Sequence, residues 1–297
     1  MSNIKKLPLT DVQFAYMFGR NSSIYLGGIA THFYAEFDTK LNPKRFEEAL
    51  NKVIQRQEML RAYICKDGTQ VIMEEVPYYE VEYTDLSKLT EEEKTKEIES
   101  YRAQNSNRII PLDTWPMFGF KFFRKDEESS VLAVDIDMMI VDGMSTELLI
   151  HQVMQYYNGE AVEPTIEVCF SDYMELEKQK REKMEAVDKE FWMQNIQILP
   201  LVHLLKKYQK DAPDIPYFYS LENVIEAEKW SAVERKLRKQ RILPTIYLLT
   251  AYARMVSAWT NNEKLTINMT VSDRNNGYGK NFNETIGDFY QNSSGRF

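Results

Sequence analysis

Two aspartates and a serine stand at fixed spacing in the middle of this sequence: Asp137, four residues, Asp142, two residues, Ser145. They fall where a β-prone run ends and a turn leads into a helical pattern, a place where strand-end side chains commonly line a cleft. For an arbitrary pair of acids in that setting, an ion pair or a helix cap is the default role. Gly143 lets the backbone turn sharply, and Ser145 is placed to cap the helix that follows. Other chemistries lack their residues. There is no G-x-S-x-G elbow and no cysteine with a plausible His and Asn partner. Of the three histidines, His32 sits on a strand, His151 on a helix and His203 beside an apolar run, all ordinary packing or surface positions. Gly277-Tyr278-Gly279-Lys280 has neither the length nor the helix of a phosphate-binding loop.

The elements that position these residues are legible as alternating patterns. Ile29 to Phe37 alternates like a half-buried strand. Asn42-Pro43 starts a helix, and Phe46, Ala49, Leu50 and Val53 recur at helical spacing to about Gln57. Arg61–Cys65 and Thr69–Met73 flank Asp67-Gly68, a hairpin signal, and a short strand from Tyr79 to Tyr83 follows. Thr90 to Arg102 predicts a charged helix. Met117–Arg124 and Val131–Ile140 are strong strands, and Ser145 to Tyr157 is a helix. Strand, helix, strand order implies an α/β sandwich lobe over residues 1–160. A connector with one long helix, Tyr173 to Gln197, occupies 161–216. From 217 to 297 the plan starts again: a strand at Phe218–Val224, helices at Trp230–Lys239 and Pro244–Trp259, and a strand at Leu265–Val271. No closing elements are expected after Gly287-Asp288-Phe289, so this second lobe reads as partial.

Composition excludes several classes. With 45 acidic and 37 basic residues the formal charge is −8, which disfavours a nucleic-acid surface. Cys65 and Cys169 make no disulfide framework and have no metal-ligand spacing. The start of the chain lacks the apolar run of a signal peptide, and no stretch has the length of a membrane span. A cytoplasmic setting is expected, with the sequons at Asn21, Asn268, Asn283 and Asn292 arising by chance. Tyr and Phe number 18 and 15 and are assigned to the core.

The order of motifs along the chain carries more than any one of them. Leu7-Pro8-Leu9-Thr10-Asp11-Val12-Gln13-Phe14-Ala15-Tyr16-Met17-Phe18-Gly19-Arg20 resembles the opening motif of the heterocyclisation domains of nonribosomal peptide synthetases, and Leu26-Gly27-Gly28 with His32, Tyr34, Glu36 and Phe37 continues it. Arg56-Gln57-Glu58-Met59-Leu60-Arg61-Ala62 is similar to the next motif, with Gln57 where a histidine is usual. At the centre, ordinary condensation domains carry two histidines where this chain has Asp137 and Met138. The heterocyclisation pattern is met in full by Asp137, Asp142 and Ser145. Phe191-Trp192 with Leu199-Pro200, Leu243-Pro244-Thr245 through Trp259, Leu265 to Thr270 and Ile286-Gly287-Asp288-Phe289 resemble later motifs. After Gly-Asp-Phe the family usually has Thr-Ser, where this chain has Tyr290-Gln291.

The resemblance implies a chloramphenicol acetyltransferase-like fold of two lobes in a V, entered by the phosphopantetheine arms of a donor and an acceptor carrier protein. It implies no cofactor or metal bound by the domain itself, and adjacent synthetase domains as partners. The implied reaction condenses an acyl thioester with carrier-bound Cys, Ser or Thr and then expels water to give a thiazoline or oxazoline. Asp137, Asp142 and Ser145 are the expected catalytic motif, with Gly143, Asp288, Arg61 and Arg274 as tunnel-wall residues. Asp142 is expected to turn inward onto Arg274 or Arg61, with Asp137 ordering the same region. In the family, residues implicated in water loss lie beyond the second-lobe segment seen here. The alternatives are an ordinary condensation domain that has lost its histidines, and a truncated fragment that docks carrier proteins without turnover.

Overall fold

The computed structural model describes residues 5–24, 27–196, 223–274 and 279–296, with side chains to 291. Leu26, Leu199-Pro200, His203 and most of the expected strand at 218–224 lie outside the described residues.

The chain divides into two compact units, Met1–Glu182 with Ser272–Gln291, and Lys183–Val271 with Asn292–Phe297. In the first, β2 (His32–Thr39), β7 (Ser130–Asp137), β6 (Phe118–Arg124) and β5 (Glu82–Asp85) form a four-stranded sheet in the order β2-β7-β6-β5. β7 pairs antiparallel with both neighbours, and β5 runs parallel to β6. All eight residues of β7 are buried, because helices cover both of its faces. Leu132, Val134 and Ile136 point into the main core with Phe46, Leu50 and Val53 of α2 (Pro43–Arg56) and Leu149 and Val153 of α4 (Gly143–Asn158). Val131 and Ala133 face the other way, onto Ile98 of α3 (Glu91–Asn105) and Leu86. The side-chain alternation of a strand then puts Asp135 and Asp137 on the α3 face, where each needs a cation.

β1 (Lys5–Pro8), β4 (Thr69–Ile72) and β3 (Ala62–Ile64) make a smaller antiparallel sheet. The β3–β4 hairpin turns at Gly68, whose φ of 79° suits the expected Asp-Gly turn. β1 and the helix α1 (Asp11–Gly19) were not expected from the pattern. α1 is opened by a capping box in which Thr10 and Gln13 each hold the other's backbone N–H. The strand expected at Tyr79–Tyr83 starts later, at Glu82. Tyr79 is instead a core residue: its ring lies 5.1 Å from that of Phe118, and its N–H donates to Asn51 at 2.8 Å.

α5 (Phe170–Asn195) is the expected long charged helix. The second unit holds α6 (Ala227–Lys239), α7 (Pro244–Thr260) and most of β8 (Thr266–Ser272). β8 pairs with β9 (Tyr290–Arg296), a closing strand the sequence reading did not foresee. No described helix is long and apolar enough to cross a membrane.

Candidate active site at the start of helix α4

β7 delivers Asp137 to its last position, the buried loop Met139-Ile140-Val141 follows, and Asp142 is the N-cap of α4. The sequence placed Ser145 as the cap. The structure gives that place to Asp142, whose Oδ1 accepts the Ser145 N–H at 2.7 Å, and this frees the serine hydroxyl for tertiary work.

Asp142 is fully buried and fully occupied. Oδ1 also takes an Nη2 hydrogen bond from Arg274 at 2.9 Å, and Oδ2 accepts the Phe289 N–H at 3.3 Å. Ser145 Oγ accepts from Arg274 Nη2 at 2.5 Å and from the Gly287 N–H at 2.9 Å, and donates to the Gly287 carbonyl at 2.7 Å. Arg274, 2% exposed, spends Nη1 on the carbonyls of Phe282 and Thr285 at 2.9 and 2.6 Å. Its guanidinium carbon lies 4.0 Å from the Phe289 ring centroid. One planar cation thus ties the start of α4 to the segment 282–289, which only a rigid fork of donors can do. Gly287 is required there, because a Cβ would stand 2.2 Å from Phe170 Cδ2.

Of the two arginines considered for Asp142, the partner is Arg274. Arg61 donates to the carbonyls of Ile54 and Met73 at 3.4 and 3.3 Å, and burial lowers its pKa. Asp137 belongs to a separate network. Its Oδ2 is paired with the Arg20 guanidinium, and Oδ1 accepts the Met139 N–H at 3.0 Å. Burial pushes its carboxyl above the ordinary value, while Arg20 and the Met139 amide pull it back. Beside it Asp135 takes Arg108 at 2.6 Å. Asp288 is fully buried, with Oδ1 accepting the Tyr290 N–H at 3.1 Å and Oδ2 left without a hydrogen bond. Burial, aided by the neighbouring Asp142 charge, holds its pKa well above the carboxylate range.

Several supporting residues were not singled out in advance. Gln13 donates to the Met139 carbonyl at 2.7 Å and to Gln70 at 3.1 Å, fixing the loop between the two aspartates. Gln57, in the position of the usual histidine, donates to Gln152 and to the Glu284 carbonyl, both at 2.8 Å, and accepts the Ile286 N–H at 3.0 Å. Gln13, Arg20 and Gln57 all stand inside motifs quoted above. For Arg20 the signal the sequence offered was an arginine inside the opening motif and a motif aspartate, Asp137, that needs a cation once buried.

Among the described residues no group of three His, Cys, Asp or Glu side chains could hold a metal ion. Neither motif aspartate has a lone pair facing solvent, and a general base must reach the proton it removes. What the arrangement can do is hold a surface in place: α4 begins with Gly143 and Met144 exposed beside a rigidly held 282–290 segment.

A family model for the condensation domain matches residues 3–291. The chain belongs to the condensation-domain family. Across 271 residues it is 30% identical to bacitracin synthase 1 of Bacillus licheniformis, covering 90% of this chain and 5% of that protein. It is 26% identical over 275 residues to pyochelin synthetase PchF of Pseudomonas aeruginosa, covering 91% and 15%. Against phenyloxazoline synthase MbtB of Mycobacterium bovis the identity is 25%, covering 90% and 19%. The cyclization-docking bidomain of EpoB from Sorangium cellulosum has a TM-score of 0.87 at 27% identity, over 97% of this chain and 58% of that one. This condensation domain therefore spans a small part of the synthetases it matches. Its α/β fold is the chloramphenicol acetyltransferase-like fold of nonribosomal peptide synthetase condensation and cyclization domains.

Proposed function

We propose that this condensation domain is of the heterocyclisation type. It joins a carrier-bound acyl thioester to the amine of carrier-bound Cys, Ser or Thr and then cyclodehydrates the product to a thiazoline or oxazoline. The observation that carries the reading is the buried Asp137, Asp142 and Ser145 set, each member held by its own partners where ordinary condensation domains keep histidines. The names of the matching synthetases, pyochelin and phenyloxazoline among them, and of the EpoB cyclization domain support it. On this reading the partners are donor and acceptor carrier proteins with their phosphopantetheine arms and the adjacent synthetase domains, in the cytoplasm. The same reading assigns residues 1–160 to the first lobe, 161–216 to a connector and 217–297 to the second lobe.

The first step forms a C–N bond and releases the donor thiol. A free amine already attacks thioesters, so most of the acceleration comes from holding the two ends at attack distance. That task matches a site whose carboxylates are committed to structure. The second step adds the side-chain thiol or hydroxyl to the new amide carbon and expels the carbonyl oxygen as water. Hydroxide is a poor leaving group, so this step needs positioned proton transfers.

Mass measurement on the acceptor carrier tests the proposal. With a loaded donor, acceptors bearing Cys, Ser, Thr or Ala are compared: at least one of the Cys, Ser and Thr products should carry the acyl group less one water, and an acylated Ala product should keep its full mass. Acyl transfer without water loss on Cys, Ser and Thr acceptors alike would leave an ordinary condensation domain.

A further inference from the structure

The start of α4 carries one contact that neither aspartate network uses. Gly143 is exposed, yet its N–H is engaged: it donates to Tyr290 Oη at 3.1 Å. The phenol oxygen stands 2.8 Å from where a Gly143 Cβ would be, with Cζ at 4.0 Å, so a Cβ added at this position would push the end of the Tyr290 side chain off the amide. Tyr290 is held from behind, its own N–H on Asp288 Oδ1 at 3.1 Å. Its place is the one where the motif resemblance has threonine. A threonine hydroxyl, attached at Cβ, falls far short of the reach of a phenol and would leave the Gly143 amide open.

We propose that Tyr290 is a substrate-contacting, specificity-determining residue, whose hydroxyl covers the Gly143 N–H and presents its own proton to the carbonyl oxygen of the pantetheine-tethered acyl group. This rests on the reading of the site as one that receives tethered acyl groups. A phenol oxygen that accepts one hydrogen bond still has its O–H to give. Accepting from an amide at the positive end of a helix polarises that O–H and strengthens the donation. The ring also fills the space beside Gly143, so acyl groups that would lie against a bare glycine are excluded.

The test is binding of a non-transferable probe, an acyl-pantetheine amide, to the full chain, followed by titration and by the backbone amide resonance of Gly143. Tyr290→Phe should weaken a small acyl probe about fivefold, the loss expected for one neutral hydrogen bond. Tyr290→Thr should admit a bulkier acyl probe that the wild type rejects. As a check on the contact itself, Gly143→Ala should lower the melting temperature in the Tyr290 protein and much less in the Tyr290→Phe protein, where the ring carbon at 4.0 Å leaves room. Equal probe affinity for wild type and Tyr290→Phe, or an equal effect of Gly143→Ala in both, overturns the role of Tyr290 and leaves the reading of the site standing. Failure of every variant and the wild type to bind any acyl-pantetheine amide overturns both.

Discussion

Ser145 shows what a single hydroxyl does in this site. It accepts from Arg274 and from the Gly287 amide and donates to the Gly287 carbonyl, so Ser145→Ala leaves buried groups unpaired. A loss of about 2–3 kcal/mol in unfolding free energy is expected, measured by urea denaturation. Asp288 behaves in the opposite sense. Its folded pKa lies above the ordinary 3.8 because of burial and Asp142, so the folded state binds the proton more tightly than the unfolded chain. The stability it contributes is full below the ordinary value and is lost as pH rises from there toward the raised pKa. Asp288→Asn keeps an acceptor for the Tyr290 N–H and removes the titration. It should raise stability at pH 8, change little at pH 4, and flatten the curve between, in melting scans across that range. Asp142 was legible in the sequence as a motif member, but its partner was not: the choice between Arg274 and Arg61 is made by tertiary contact across 132 positions, and no local rule reaches that far.

At the scale of elements, the well-read parts are those with a one-sided or two-sided apolar pattern. β7 announced itself by an apolar run because helices cover both faces, and α2 by its Asn42-Pro43 start. α1 was missed although Thr10-Asp11-Val12-Gln13 carries the capping-box spacing, since its exposed Phe14 and Phe18 blur the apolar stripe. β9 has no such stripe; Tyr290-Gln291-Asn292-Ser293-Ser294-Gly295-Arg296 is polar, and its strand form comes from pairing with β8. The segment 284–287 is irregular and depends on two glutamines, Gln57 at the C-cap of α2 and Gln152 in α4. Gln57→Leu strands the buried Ile286 N–H and leaves the Glu284 carbonyl to Gln152 alone. Hydrogen exchange at the Ile286 amide should quicken by at least tenfold, with about 2 kcal/mol lost from stability. The sheet-to-helix contact of Phe122, fully buried in the main core against Phe46 at 5.4 Å, predicts a loss of about 3–5 kcal/mol for Phe122→Ala by the same denaturation measurement.

For the whole molecule, on the function proposed here, the carboxylate and hydroxyl motif holds a surface in shape and reactivity comes from what that surface holds together. Stability and turnover are then coupled at Asp142. Asp142→Asn keeps the size of the side chain but leaves Arg274 as a buried charge without its counter-ion, which costs about 3–5 kcal/mol when one partner of such a pair is removed. The decisive measurement is thermal melting of Asp142→Asn beside its yield of acylated product on the acceptor carrier. Both should fall together; a melting temperature equal to the wild type with the product lost would contradict a structural role and make Asp142 a chemical participant.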